Sequence, residues 1–341
     1  MEMSKKVKLS DIAEKVGVSV VTVSKALSGQ KGVSDKVRDE IIRLADEMGY
    51  VQPSVARARE KTVSYSIGVV IQEGYLGETS FYWQMYQQIS QRALERGSFS
   101  MLEVIDDAME ERLILPKLAT GKKTDGIVVI GPLGDKYLGK LINETDIPMI
   151  FMDFADKKQR EDCVISDSFY GAYYMTNYLM DMGHSRIAYV GTVGTTGSIT
   201  DRYLGYMRSL IEHGITPRKE WLIDDRDTAS GEIGENNKLK LPREMPTAFF
   251  CNCDLTAGIL VNKLKKEGYR VPEDISVAGF DDFIYSGLCD TEITTYAVDI
   301  HEMAARTINT LIKKISGEHY DKGTQVVTGR IVVKDSVRRI R

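Results

Sequence analysis

Between Leu9 and Met48 the apolar positions repeat at three and four residues in three short runs, and the breaks fall on glycine or a small polar residue. Ile12, Ala13 and Val16 form the first run, which Gly17 ends. Ser19 is placed to cap a second helix carrying Val23, Ala26 and Leu27. Ser34 is placed to cap a third, whose stripe is Val37, Ile41, Leu44, Ala45 and Met48 before Gly49. Three such stripes can close one small core, which leaves the outer face of the second helix, with Val20, Val21, Thr22 and Lys25, outside it. Two short helices joined by a tight glycine turn are the sequence form of a helix-turn-helix. The N-terminal part of its second helix is what meets base edges in a major groove.

From Ser66 the pattern changes. Short runs rich in Val, Ile and Phe (SIGVVIQ, DGIVVIG, IPMIFMDF, RIAYVG, TAFFCN, DISVAGFDD) alternate with helical stretches at 82–96, 169–182, 201–213 and 255–267. This is the β-α-β rhythm of doubly wound parallel sheets, an α/β fold. The units are too many for one small sheet, so two Rossmann-like lobes are expected, with ligands at the carboxyl ends of strands. A last helix after Asp299 carries Met303, Thr307, Leu311 and Ile315 on one stripe, and a final strand pair is expected around 326–333.

Charge changes the picture only when it is divided. The 341 residues carry a formal net charge of -4, yet residues 1–61 hold 12 Lys and Arg against 9 Asp and Glu, while the rest holds 33 against 40. A basic head on an acidic body can hold phosphates without indiscriminate sticking. Cys163, Cys251, Cys253 and Cys289 show no metal-ligand spacing, so reduced thiols are expected, with Cys251 and Cys253 on one side of a strand. No stretch approaches the roughly 20 apolar residues of a membrane span, and a soluble, cytoplasmic protein is expected. The loop Gly191–Gly197 lacks the G-x-G-x-x-G spacing and the P-loop lysine. His184, His213, His301 and His319 sit in no nucleophile or metal motif, so no catalytic residue, metal or cofactor is nominated; His184 is expected to tie a helix end to the next strand.

The N-terminal block resembles, nearly residue for residue, the headpiece of the LacI/GalR (lactose repressor and galactose repressor) family. The resemblance is carried by Asp11, Ile12 and Ala13, by the runs Gly17-Val18-Ser19 and Thr22-Val23-Ser24-Lys25, by Val33-Ser34 and by Gly49-Tyr50. It implies DNA contacts from Leu9, Ser19, Val20, Val21, Thr22, Ser24, Lys25 and Ser34, on each half of a palindromic operator. It also implies that residues 53–64 form a hinge that enters the minor groove. Ala56 and Arg57 match that pattern, but Gln52 and Pro53 depart from it, and Arg59 stands where a wedging leucine is usual. Arginine suits a narrow, electronegative minor groove rather than a wedge, so less kinking is expected.

The resemblance continues into a core of the periplasmic-binding-protein type, and implies an effector in the cleft between lobes. It implies lobe crossings near Val164, Ile293 and Asp321, hence a head at 1–52, an N-terminal lobe at 65–164 with 294–321, and a C-terminal lobe at 165–293 with 322–341. Phe81 and Tyr82 open a helix after the first strand, where relatives place side chains over the effector. Asp153 ends a strand. Arg202, read as lying near a helix start, matches an arginine that grips effector oxygens, and Asp281 matches a carboxylate that accepts from hydroxyls. Cys253 stands where relatives often have an asparagine, and Asn252 is expected on the opposite face. Carboxylates, an arginine and aromatics together suit a neutral, hydroxyl-rich ligand, a sugar first and a purine as the alternative. The expected protein is a homodimeric repressor of a carbohydrate operon that binds double-stranded DNA. A solute-binding protein is the main rival, and an enzyme on a Rossmann-like body would need the cofactor fingerprint that is missing.

Overall fold

A computed structural model describes residues 7–27, 32–48, 50, 63–76, 80–121, 123–227, 233, 239–283 and 287–340. It divides into two compact units, Met1–Val63 and Ser64–Arg341.

The first unit contains α1 (Leu9–Val16), α2 (Val20–Leu27) and α3 (Asp35–Glu47). Gly17 ends α1 in the left-handed conformation, φ 72°, with its N–H on Ala13 O, a geometry that a side chain would strain. Ser19 Oγ accepts from Thr22 N at 3.1 Å, the cap the sequence predicts. Ile12, Val23 and Ile41 are fully buried where the three stripes meet, flanked by Ala13, Ala26 and Ala45. Arg38 Nη1 donates to Ala26 O at 3.0 Å, which satisfies a carbonyl at the end of α2 and ties α3 to it. Gly49, Ala56, Arg57 and Arg59 lie outside the described residues, as does the rest of the 53–64 hinge up to residue 62.

In the second unit the elements are β1 (Ser66–Gln72), α4 (Phe81–Glu95), β2 (Phe99–Ile105), α5 (Asp107–Glu111), α6 (Lys117–Thr120), β3 (Gly126–Ile130), α7 (Asp135–Asn143), β4 (Met149–Met152) and β5 (Asp162–Ser166). They continue as α8 (Ser168–Asp181), β6 (Ile187–Val190), α9 (Gly197–Glu212), β7 (Leu222–Ile223), β8 (Ala248–Cys251), α10 (Asp254–Lys266), β9 (Ser276–Asp281), β10 (Thr294–Ala297), α11 (Ile300–Ser316), β11 (Thr324–Val327) and β12 (Arg330–Val332). Two sheets result, ordered β11-β5-β4-β3-β1-β2 and β12-β10-β9-β8-β6-β7. The first is parallel throughout, and in the second only β12 runs antiparallel, to β10.

Helices cover both faces of each sheet, which is why the strands read as unbroken apolar runs rather than alternations. Along β1, Ile67, Val69 and Ile71 enter the core under α4 and α11, while Val70 enters the core on the other face. Along β8, Phe249 and Cys251 face one core and Ala248 and Phe250 the other. All four cysteines are free thiols. The stripe of α11 docks on the first sheet, with Met303, Thr307 and Leu311 fully buried.

The chain crosses between sheets after β5, after β10 and after β11. Each point lies a few residues beyond Val164, Ile293 and Asp321. β10 extends the second sheet by pairing with β9, and β11 extends the first by pairing with β5. The segment 326–333 is therefore not a strand pair but two strands in different sheets, on either side of a crossing.

Candidate functional site

On the first unit, Val20 and Val21 at the start of α2 are 45% and 63% exposed, although both are apolar. Lys25 and Ser24 are exposed on the same helix, while Thr22 is half-buried with its hydroxyl 2.9 Å from Ser19 Oγ. Two exposed valines on a capped helix whose inner face is fully used form an outer surface that the fold itself does not require. Ser34 stands at the N-cap position of α3, where its carbonyl accepts from Arg38 N at 2.9 Å. Leu9 opens α1 half-buried at the edge of the three-helix core.

In the second unit, two strands from different sheets end on aspartate. Asp153 follows β4 with φ 69°, and Asp281 ends β9 with φ 106°. Both are in the left-handed half of backbone space, where non-glycine residues are held at a cost of order 1–3 kcal/mol, a pattern that clusters at functional sites. Asp281 lies 3.1 Å from Arg202 Nη2, and both side chains are almost fully buried. The contact is ionic rather than an aligned hydrogen bond, and Asp281 Oδ1 accepts none. Burial holds the Asp281 carboxyl up at about 7 against the pull of Arg202. Burial likewise holds Asp153 at about 6, against Arg202 and a hydrogen bond from Tyr82.

Arg202 is not at a helix start. Thr196 Oγ1 accepts from Ile199 N at 3.2 Å and begins α9 at Gly197, so Arg202 sits in the second turn, beyond the dipole's reach. From there its Nη1 donates to Asn252 O at 2.6 Å and its Nε to Ser168 Oγ at 3.3 Å, and the guanidinium lies 3.8 Å over the Phe280 ring.

The aromatics divide. Phe81 is 7% exposed and belongs to the core of the first sheet, where it meets Phe283 of the other lobe edge-on at 6.2 Å. Phe283 is set by Asp254 Oδ2, which accepts from its N–H at 2.9 Å. Tyr82 instead stacks on Tyr75 at 4.8 Å. Gly131, at the end of β3, makes that stack possible, because a Cβ there would come within 3.0 Å of Tyr82. Tyr75, which the sequence reading did not nominate, is pushed by burial up to about 12.

A polar cluster after β7 was also not foreseen. Asp225 is wholly buried and accepts from Thr192 N and Oγ1, Asn252 Nδ2 and Thr256 Oγ1. Burial alone would raise this carboxyl, but Arg226 and the surrounding donors hold it at about 2. Arg226 Nη2 reaches Asp225 at 2.8 Å and Asn252 Oδ1 at 3.0 Å. Asn252 therefore joins the site instead of facing away: β8 ends at Cys251, and the turn into α10 breaks the strand alternation. The same turn parts Cys251, which is in the core, from Cys253, whose thiol donates to Thr256 beside Arg226. Beyond the carboxylates, Asp282 pairs with Lys334 at 2.6 Å. A groove of about 590 Å³ runs past Asp281 and Asp282 between the crossing segments 297–301 and 328–330. The glycine-rich loop after β6 is organised by Asp225 and by Gly194 N on Thr200 Oγ1. His184 bridges Thr247 and Arg338 O.

A three-helix head with an exposed outer face, carried by a chain whose second unit holds two parallel-sheet lobes and a buried polar cluster at their strand ends, defines the class of ligand-responsive transcription regulators. Residues 8–53 match the bacterial regulatory proteins of the lacI family, and residues 176–337 match the periplasmic binding protein-like domain. The chain thus carries a lacI-family DNA-binding head on a periplasmic-binding-like core, the make-up of a DNA-binding transcriptional regulator. It is similar to the HTH-type transcriptional repressor PurR of Vibrio vulnificus (strain CMCP6), 26% identical over 333 residues that cover 97% of this chain and 99% of that one. The PurR of Glaesserella parasuis serovar 5 (strain SH0165) is 27% identical over 340 residues, covering 97% and 98%. Among solved structures, a CelR–cellobiose complex of a transcriptional regulator matches with a TM-score of 0.70 at 23% identity, covering 97% of this chain and 99% of that one. The lac repressor dimer bound to operator and the anti-inducer ONPF matches with a TM-score of 0.65 at 24% identity, covering 98% and 100%. Among the described residues no helix is long and apolar enough to cross a membrane, and no cluster of His, Cys, Asp and Glu could hold a metal ion.

Proposed function

We propose that this chain is a cytoplasmic repressor that binds a palindromic operator as a homodimer and is controlled by a sugar held between the lobes. The observation that carries the effector reading is the meeting of Asp153, from the first lobe, with Arg202 and Asp281, from the second, around a buried carboxylate oxygen that accepts no hydrogen bond. Arg202 faces this oxygen as a charge at 3.1 Å, which leaves its lone pairs for a ligand hydroxyl to donate to. A ligand that touches both walls shifts the lobes by binding one of their arrangements better than the other. Tyr75, Tyr82 and Cys253 complete the proposed pocket, while Phe81 acts behind it as packing. A purine is the second reading. The PurR relatives favour it by name, and the Tyr75–Tyr82 stack offers a flat face. The arginines and carboxylates on the other side favour a hydroxyl-rich ligand over an apolar slot. A thermal-shift screen against sugars, sugar phosphates and purines separates the two readings, since binding to the folded state raises Tm by mass action.

On the head, Lys25 is proposed to donate to a guanine edge, with Val20 and Val21 against thymine methyls. Leu9, Ser19, Thr22, Ser24 and Ser34 are proposed to supply further contacts, and the stretch with Ala56, Arg57 and Arg59 to bind the minor groove with little kinking. Lys25→Ala is expected to weaken the preferred operator by about 1–3 kcal/mol and to relax base preference at one position per half-site. Fluorescence anisotropy on single-base operator variants checks this; equal weakening on every sequence would make Lys25 a phosphate contact.

A further inference from the structure

The cleft holds two guanidinium groups, and the protein uses them differently. Arg202 engages all three of its nitrogens internally: Nε with Ser168, Nη1 with Asn252 O, and Nη2 with Asp281. In Arg226, Nε and Nη2 are bonded to Asp225, and Nη2 also to Asn252. Its Nη1, with two N–H donors, has no hydrogen-bond partner among the described residues. The opposite side of this guanidinium is locked: Asp225 is held by Thr192, Asn252 and Thr256 as well as by Arg226, so the side chain has no rotamer freedom to lose on binding. The contacts from Arg226 to Asp225 all lie on its Nε–Nη2 edge, away from Nη1. The outer edge keeps a positive potential, which is felt by Tyr75 and Tyr82 on the other lobe.

We propose that Arg226 is the specificity residue of the cleft and that the effector is an acidic sugar, a uronic or aldonic acid, whose carboxylate meets Nη1 while Asp281 and Asp153 read its hydroxyls. The proposal rests on reading the cleft as a sugar site. A fixed guanidinium edge makes charge-assisted hydrogen bonds to a carboxylate that are roughly twice as strong as those to a neutral hydroxyl. A phosphoryl group would bring up to two charges beside Asp153 and Asp281 and is disfavoured. One carboxylate is tolerated, because burial already holds both aspartates close to neutral pH and either can take up a proton as the anion enters. Nothing in the sequence pattern distinguishes Arg226 from a surface arginine; only the fold brings it beside Cys253 and Asn252.

The test is calorimetric titration of the full chain with D-glucuronate, D-galacturonate, D-gluconate and D-galactonate, each beside its neutral amide, its parent hexose and the hexose 6-phosphate. At least one acid is expected to bind about tenfold or more tightly than its amide, and Arg226→Gln to bring that acid down to the level of the amide. Because Arg226→Gln also strips a partner from Asp225 and can unfold the core, the acid-to-amide ratio on the unaltered chain decides the matter by itself. A hexose or purine that binds more tightly than every acid, and is lost in Asp281→Ala, overturns the proposal and leaves the cleft reading standing. Binding that survives Asp281→Ala overturns both. Four acids that are all inert at millimolar concentration overturn the proposal.

Discussion

Replacing Arg202 with alanine is expected to lower the unfolding free energy of the core unit by about 3–5 kcal/mol at pH 8, the cost of breaking a buried ion pair by removing one partner. Several losses combine. Asn252 O and Ser168 Oγ lose a donor, the face of Phe280 loses the guanidinium stacked on it, and Asp281 loses its nearest cation. The last of these depends on pH. Burial already raises the folded-state pKa of Asp281 to about 7, above its unfolded value, so the stability linked to its proton is present in acid and lost as pH rises through 7. Without Arg202 that pKa moves higher still, and the carboxyl is protonated at little cost at mildly acidic pH. The destabilisation by Arg202→Ala should therefore be smaller at pH 5.5 than at pH 8. Urea unfolding of wild type and variant at both pH values measures it; a pH-independent difference would mean that packing and the neutral hydrogen bonds account for the whole effect.

Asp281→Ala is expected to cost about 2–5 kcal/mol of effector binding, because it removes one side of a buried charged pair that the ligand must meet. The variant keeps the head unchanged, so operator affinity without effector should stay close to wild type while the effector no longer alters it. Titration of effector into a preformed operator complex, for wild type and variant, reads this directly. An unaltered effector response in a folded Asp281→Ala protein would remove the cleft from the account.

Much of the fold was legible because burial on both faces leaves unbroken apolar runs, and three amphipathic stripes of eight to thirteen residues have few ways to close. The lobe crossings were displaced because which sheet a strand joins is decided by its neighbour: nothing within Thr294–Ala297 distinguishes pairing with β9 from a return to the first sheet. At the site, strand-end aspartates and the arginine of α9 could be read, since βαβ order places strand ends at a cleft. Asn252 and Cys253 were misplaced because period-two alternation was carried past the end of β8. The start of α9 was missed because Gly197 and Ser198 look like loop, whereas Thr196 caps them into the first turn. Asp225 and Arg226 follow a strand of two residues, too short to show any period. Tyr75 lies in a single turn after β1, and its partner Tyr82 is seven positions on, a distance that only the fold closes.

Under the proposed function, this chain reads a two-fold symmetric DNA sequence through α2. Selection of bound sequences from a random double-stranded library by the purified full chain tests it most directly. The account predicts an inverted repeat with half-sites one helical turn apart or a multiple of it, its information lost at one position per half-site in Lys25→Ala. Recovery of no inverted repeat, or of the same sequences with Lys25 and Val21 both replaced by alanine, would contradict it.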